Sequence, residues 1–166
     1  MSHGKQAEPQ AAPLAGHAHH ASRSSRRRPE RSAEAITDRL FEALSHFADE
    51  APALQTLRRC LTSDARIVVW RGSKSTFHHR EEWLEHVARA TWERQRRREG
   101  FFVSPQRRFV LECSEESICQ ARLELVTTLG GALVARDAVT CSATLRPTGA
   151  AGLQITRLTL VYEEVA

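Results

Sequence analysis

From residue 32 onward, the chain carries two hydrophobic rhythms. Ile36, Leu40, Leu44 and Phe47 recur at helical spacing and predict a first helix starting near Ser32, with Glu34 at its positive end. Pro52 suits the first turn of a second helix that buries Leu54, Leu57 and Leu61. Ser63-Asp64 breaks the chain into a short strand, Arg66-Ile67-Val68-Val69-Trp70, and Gly72 to Ser75 reads as a loop. A third helix is expected from His79 to Arg98, with Trp83, Leu84, Val87 and Ala90 or Thr91 inward and Gly100 ending it.

Beyond Gly100 the period falls to two. Residues 101–113 form an edge-like segment, because Pro105 cannot donate to a central ladder. Ile118–Thr128, Leu133–Arg146 and Leu153–Glu163 alternate and are rich in Val, Ile, Leu and Thr. Gly130-Gly131 signals a tight hairpin, and Thr148 to Gly152 a looser turn. Helices first and a strand meander after predict an α+β fold over residues 32–166. Three helices in its N-terminal half would lie on a curved antiparallel sheet that encloses a pocket.

Residues 1–31 follow neither rhythm. Ala, Pro, His, Ser and Arg dominate there, with one Leu and no aromatic side chain, so a disordered tail is expected. His17, His19 and His20 read as part of a solvated tract, and Arg26-Arg27-Arg28 as an anion-binding run or an address. An Arg-rich, Ser-containing leader also resembles an organelle transit peptide, against which Glu8 and Glu30 count. The tail carries most of the net +4 charge, which leaves the body near neutral and argues against a dedicated nucleic-acid domain. Arg94, Arg96, Arg97, Arg98, Arg107 and Arg108 form the one candidate basic patch, without the interleaved aromatics that single strands stack on. No apolar run reaches the ~18 residues of a spanning helix and no secretory signal is evident, so a soluble, cytoplasmic protein is expected. Cys60, Cys113, Cys119 and Cys141 show no C-x-x-C pair and read as buried thiols. A Cys113–Cys119 bridge across a hairpin is open in an oxidising compartment.

The element order resembles the nuclear-transport-factor-2-like (NTF2-like) superfamily, over about residues 33–165. Leu61-Thr62-Ser63-Asp64-Ala65-Arg66-Ile67 is similar to that superfamily's entry into its first strand. His79-Arg80-Glu81-Glu82-Trp83-Leu84 is similar to the start of its third helix, and a last strand ending in Tyr162-Glu163 is typical of it. Ketosteroid isomerases, SnoaL-type polyketide cyclases, scytalone dehydratase and the small subunits of ring-hydroxylating dioxygenases share this fold. The resemblance implies a cone with an apolar pocket, where buried ionisable groups act on small hydrophobic molecules.

Asp137 is the leading candidate for such a group. Ala135, Val139, Cys141, Ala143 and Leu145 share its strand face, and a carboxylate there needs a partner or a proton. The alternative is a solvated Asp137 paired with Arg136 or Arg122. The resemblance places the isomerase base at Val69, which moves no proton, and the only tyrosine is Tyr162. His46, one position off the first helix's apolar stripe, is a second candidate base or a structural histidine. Trp70, Trp83, Val69, Cys141 and Leu123 are expected around the ligand. Arg157 either joins them or pairs with Glu124 across the sheet. His78 and His79 are too close for a helix-borne metal pair, and His79 with His86 lacks a third ligand, so neither metal nor organic cofactor is expected.

Two functions follow. One is a cofactor-independent isomerase, cyclase or dehydratase using Asp137, with His46, as acid and base. The other is a non-catalytic ligand-binding or dimerisation module, or a partner subunit like those of the dioxygenases. Both lead to a homodimer through apolar residues on the convex sheet face.

Overall fold

The computed structural model describes residues 32–45, 50–149 and 152–163. The tail, His46 and Phe47 therefore lie outside the described residues. Helix α1 (Ala33–Ser45) begins where the sequence indicates, with the Ala35 N–H donating to Ser32 Oγ at 3.2 Å. Its inward face is Ala33, Ile36, Thr37, Leu40, Phe41 and Ala43. Helix α2 (Glu50–Cys60) runs directly into strand β1 (Leu61–Arg71), and strand β2 (Lys74–His79) returns along it. The expected loop at Gly72–Ser75 is thus largely a hairpin. Helix α3 (Arg80–Arg96) follows, then β3 (Glu99–Leu111), β4 (Ser117–Leu129), β5 (Ala132–Pro147) and β6 (Leu153–Tyr162).

The six strands form one open sheet in the order β2-β1-β6-β5-β4-β3. Every pair is antiparallel except β1 with β6, so the sheet is mixed rather than purely antiparallel. Three helices on a curved six-stranded mixed sheet make an α+β fold of the expected cone type. Edge strand β3 carries Pro105 at a register shift, as its missing N–H requires. Gly130 and Gly131 both take positive φ (58° and 84°) in the two-residue β4–β5 turn, which suits a type I′ hairpin. Helix α3 ends at Arg96 with Arg97 as its C-cap, and the left-handed residue that follows is Arg98 (φ 56°), not Gly100, which already belongs to β3.

The concave face holds the core in cross-strand rows. Ile67, Leu158, Ala143 and Cys119 lie side by side, as do Val69, Leu160, Cys141 and Ala121 in the next row. Ile67, Leu158 and Ala143 are fully inaccessible. Between Ile155 and Arg157 the pairing with β5 slips by one residue at Thr156. That bulge moves the inward positions of β6 from Leu153 and Ile155 to Leu158, Leu160 and Tyr162. No described helix is long and apolar enough to cross a membrane.

Candidate functional site

A cavity of about 400 Å³ lies between α3 and the concave sheet, within the usual size of small-molecule sites. Its apolar walls are Leu44 of α1, Trp83, Val87 and Ala90 of α3, and Val69, Val103, Leu123, Leu125, Val139 and Leu160 of the sheet. Apart from Thr91, the polar groups fall into two sets. Arg71, Arg94 and Tyr162 form one, and Thr76, His78 and His86 the other. No carboxylate lines the cavity among the described residues.

The arginine set is held by aromatic faces. The Arg94 guanidinium lies 3.8 Å from the centre of the Phe101 ring, and Arg71 lies 4.0 Å from that of Tyr162. Burial lowers the Arg94 pKa from its ordinary value, while Tyr162 and Glu99 act to raise it. Arginine stays protonated under such shifts, so the cavity carries a partly desolvated positive charge.

On the strand–helix side, period two sorts two adjacent histidines. His78 pairs with Ile67 and turns inward, whereas His79 pairs with Arg66 and turns outward, edge-on to Phe77 at 5.4 Å. His79 occupies the N-cap position of α3 but makes no capping hydrogen bond with its side chain.

Of the residues expected around a ligand, Trp83, Val69 and Leu123 line the cavity. Cys141 is buried in the sheet beside Ala121 and Leu160, outside the lining. Trp70 is 40% exposed on the convex face, next to Val161. Arg157 is exposed on that face too, because the bulge at Thr156 reverses the alternation before it. The expected Arg157–Glu124 pair is replaced by Arg136–Glu124 at 3.0 Å. Asp137 does follow the concave alternation, opposite Leu125, but it stands on the projecting β4–β5 hairpin and is exposed. Neither expected guanidinium is turned to it: Arg122 pairs with Glu163 at 2.7 Å and Arg136 with Glu124. Cys113 is exposed and Cys119 buried, both as free thiols, so no bridge joins them.

The suspected basic patch is dispersed. Arg94 lines the cavity, Arg96 lies over Trp92, Arg97 pairs with Glu99, and Arg108 anchors α1 through Glu34 and Asp38. Arg71, Arg94, Tyr162, Thr76, His78 and His86 were not expected as cavity residues. Arg71 could have been placed by carrying the alternation of Ile67 and Val69 two residues further.

No protein-family model matches the sequence, and comparison with curated proteins finds no match. Solved structures do match. An NTF2-like protein from Rhodospirillum rubrum superposes with a TM-score of 0.60 at 15% identity, covering 80% of this chain and 99% of that one. A ketosteroid isomerase-like protein from Shewanella frigidimarina gives 0.57 at 14% identity, covering 77% and 93%. An NTF2-like protein from Cytophaga hutchinsonii gives 0.59 at 8% identity, covering 78% and 94%. The chain therefore has the NTF2-like fold, and at these identities the likeness extends to the fold alone.

Proposed function

We propose that this protein binds a small hydrophobic molecule bearing an anionic group, such as an aromatic or alicyclic carboxylate. The observation that carries this reading is the charge pattern of the cavity. Its walls are mostly apolar, Arg94 and Arg71 supply positive charge, and no carboxylate lines it among the described residues. An apolar body would replace water against Val69, Leu123 and Val139, while the guanidinium groups receive the anion. Binding, rather than acid–base catalysis by Asp137, is the function these contacts favour, since Asp137 is exposed outside the lining.

The test is quenching of Trp fluorescence and thermal stabilisation by matched pairs of ligands, each a carboxylate and its neutral amide. The carboxylates should bind tighter; Arg94→Leu should narrow the difference and the double change Arg71→Leu, Arg94→Leu should erase it, while the amides bind as before. Equal binding of both members in the parent protein would refute the reading. Ala90→Phe, which fills the cavity, should abolish binding of either.

A homodimer through the convex face is a second part of the reading. Trp70, Phe77 and Val161 stand 39–52% exposed there on the neighbouring strands β1, β2 and β6, apolar side chains that a second copy would cover. Sedimentation should give the mass of two chains, and Trp70→Arg should give one. A parent protein sedimenting as one chain would remove this part. The free thiols of Cys113, Cys119 and Cys141 suit a reducing, cytoplasmic setting.

A further inference from the structure

Edge strand β2 and the opening turns of α3 bring together His78, Glu82 and His86, four residues apart each time. One donor atom of each lies within 4.8 Å of the other two. The imidazole rings of His78 and His86 meet edge-on, 4.7 Å between centres. His78 Nδ1 is 3.6 Å from a Glu82 carboxylate oxygen, beyond hydrogen-bond reach. That nitrogen is buried and has no hydrogen-bond partner among the described residues. Across the ring, His78 Nε2 lies 3.2 Å from Thr76 Oγ1.

A solvated Glu82–His78 ion pair does not account for this arrangement. Such a pair would bring Nδ1 within hydrogen-bond distance, whereas here it is left without a partner beside a second imidazole. If Nε2 donates its proton to Thr76 Oγ1, the tautomer is fixed with a bare lone pair on Nδ1. A ligating histidine is prepared in the same way, by a hydrogen bond to its other ring nitrogen. Two neutral imidazoles and one carboxylate form a donor set for first-row divalent metals, and for zinc with an open fourth position.

We propose that His78, Glu82 and His86 bind a divalent transition-metal ion, zinc in the first instance, on the wall of the cavity. His78 and His86 line that cavity and Glu82 does not, so an ion held by all three borders the ligand space. Tetrahedral zinc asks for donors roughly 3.3 Å apart, which follows from metal–ligand bonds of about 2.0 Å. The three donors must close in by side-chain rotation. Glu82, with its side chain 54% exposed, and the exposed His86 are free to do so. The site stands on these residues alone and does not depend on the ligand proposed for the cavity.

The experiment uses the full chain, stripped with a chelator, with His17, His19 and His20 changed to Ala so that the tail cannot chelate. Zinc is titrated calorimetrically at neutral pH with no organic ligand present, and cobalt is titrated in parallel by visible absorption. One zinc per chain and cobalt ligand-field bands are expected. His86→Ala and Glu82→Gln should each weaken zinc binding by more than 100-fold. Thr76→Val, which frees the tautomer, should weaken it by roughly 10–100-fold. Melting curves in chelator show that each variant is folded, and both His86 and Glu82 are exposed enough to be replaced without loss of core. Zinc binding no tighter than millimolar in the parent, or binding that His86→Ala and Glu82→Gln leave unchanged, would overturn the proposal.

Discussion

Cys141 provides a quantitative test of how the sheet is packed. It lies between Ala121 and Leu160 on the concave face and is 1% exposed. Burial pushes its thiol from the ordinary 9.0 up to about 12, with a smaller contribution from nearby Cys119. The unfolded chain releases this proton near pH 9 and the folded chain retains it. The folded pKa is the higher one, so the associated stability is complete below pH 9 and disappears as pH rises toward 12. Between pH 9 and pH 11, one group so shifted removes about 2–3 kcal/mol of folding free energy. Cys141→Ala has no thiol to titrate there, but its lost packing costs about 1 kcal/mol at every pH. In urea unfolding with reductant present, the parent should therefore be the more stable protein at pH 8. The order should reverse by about 1–2 kcal/mol near pH 11. Taking the difference between the two proteins cancels Tyr162, Lys74 and the other shared groups. A gap that stays constant from pH 8 to 11 would show that Cys141 is solvated and the packing argument wrong. A buried thiol of this kind is also unsuited to act as a nucleophile beside the cavity.

Leu158, fully inaccessible between Ile67 and Ala143, should cost about 3–5 kcal/mol when changed to Ala. A loss under 2 kcal/mol in urea unfolding would mean that the core collapses around it. Arg108 ties β3 to α1 through Glu34 at 3.1 Å and through Asp38, with its own side chain only 16% exposed. Arg108→Ala should cost about 1–2 kcal/mol, and added salt should narrow the gap because both carboxylates are more than half exposed. Asp137→Asn, on the projecting hairpin, should change stability by no more than about 0.5 kcal/mol and leave ligand affinity as it was. A clear loss of affinity in that variant would bring Asp137 back to the site.

The fold was legible wherever an element carries its own repeating or turn signal. The α1 stripe, the β4–β5 alternation and the Gly130-Gly131 turn each carry their own periodic or conformational signal. Strand β2 carries none. Its residues from Lys74 to Phe77 are exposed, so no apolar alternation marks them, and their strand character comes from pairing with β1. The bulge at Thr156 is equally silent. It inserts one residue without changing composition, yet it decides which side of the sheet Arg157 occupies.

The candidate site follows from the same two features. Asp137 keeps the register of the concave rows opposite Leu125, but alternation says nothing about how far the β4–β5 hairpin extends past the helices. Burial ends near Val139, and Asp137 lies just beyond it. On the opposite side, missing β2 hid the inward turn of His78. With the stretch read as a loop, His78 and His79 were equivalent, and the visible pair was His79 with His86. Once β2 is paired to β1, period two selects His78, and the end of β2 sets it beside Glu82 and His86 on the opening turns of α3. The chemistry at this wall is therefore assembled by an edge strand whose own sequence pattern is nearly mute. A change that unpairs β2 without touching a histidine should disrupt the site as surely as His86→Ala. Thr76→Pro would do this, since Thr76 pairs with Val69 at a hydrogen-bonded position of the β1–β2 ladder, two residues out from the Arg71–Lys74 pair that closes the turn, and Thr76→Val is its control for the lost hydroxyl. Zinc affinity lost in Thr76→Pro well beyond the loss in Thr76→Val, with the core still folded, would show that strand pairing, and not the histidines' sequence spacing alone, builds the site. Affinity no lower than in Thr76→Val would mean that His78 reaches the site without the β1–β2 pairing.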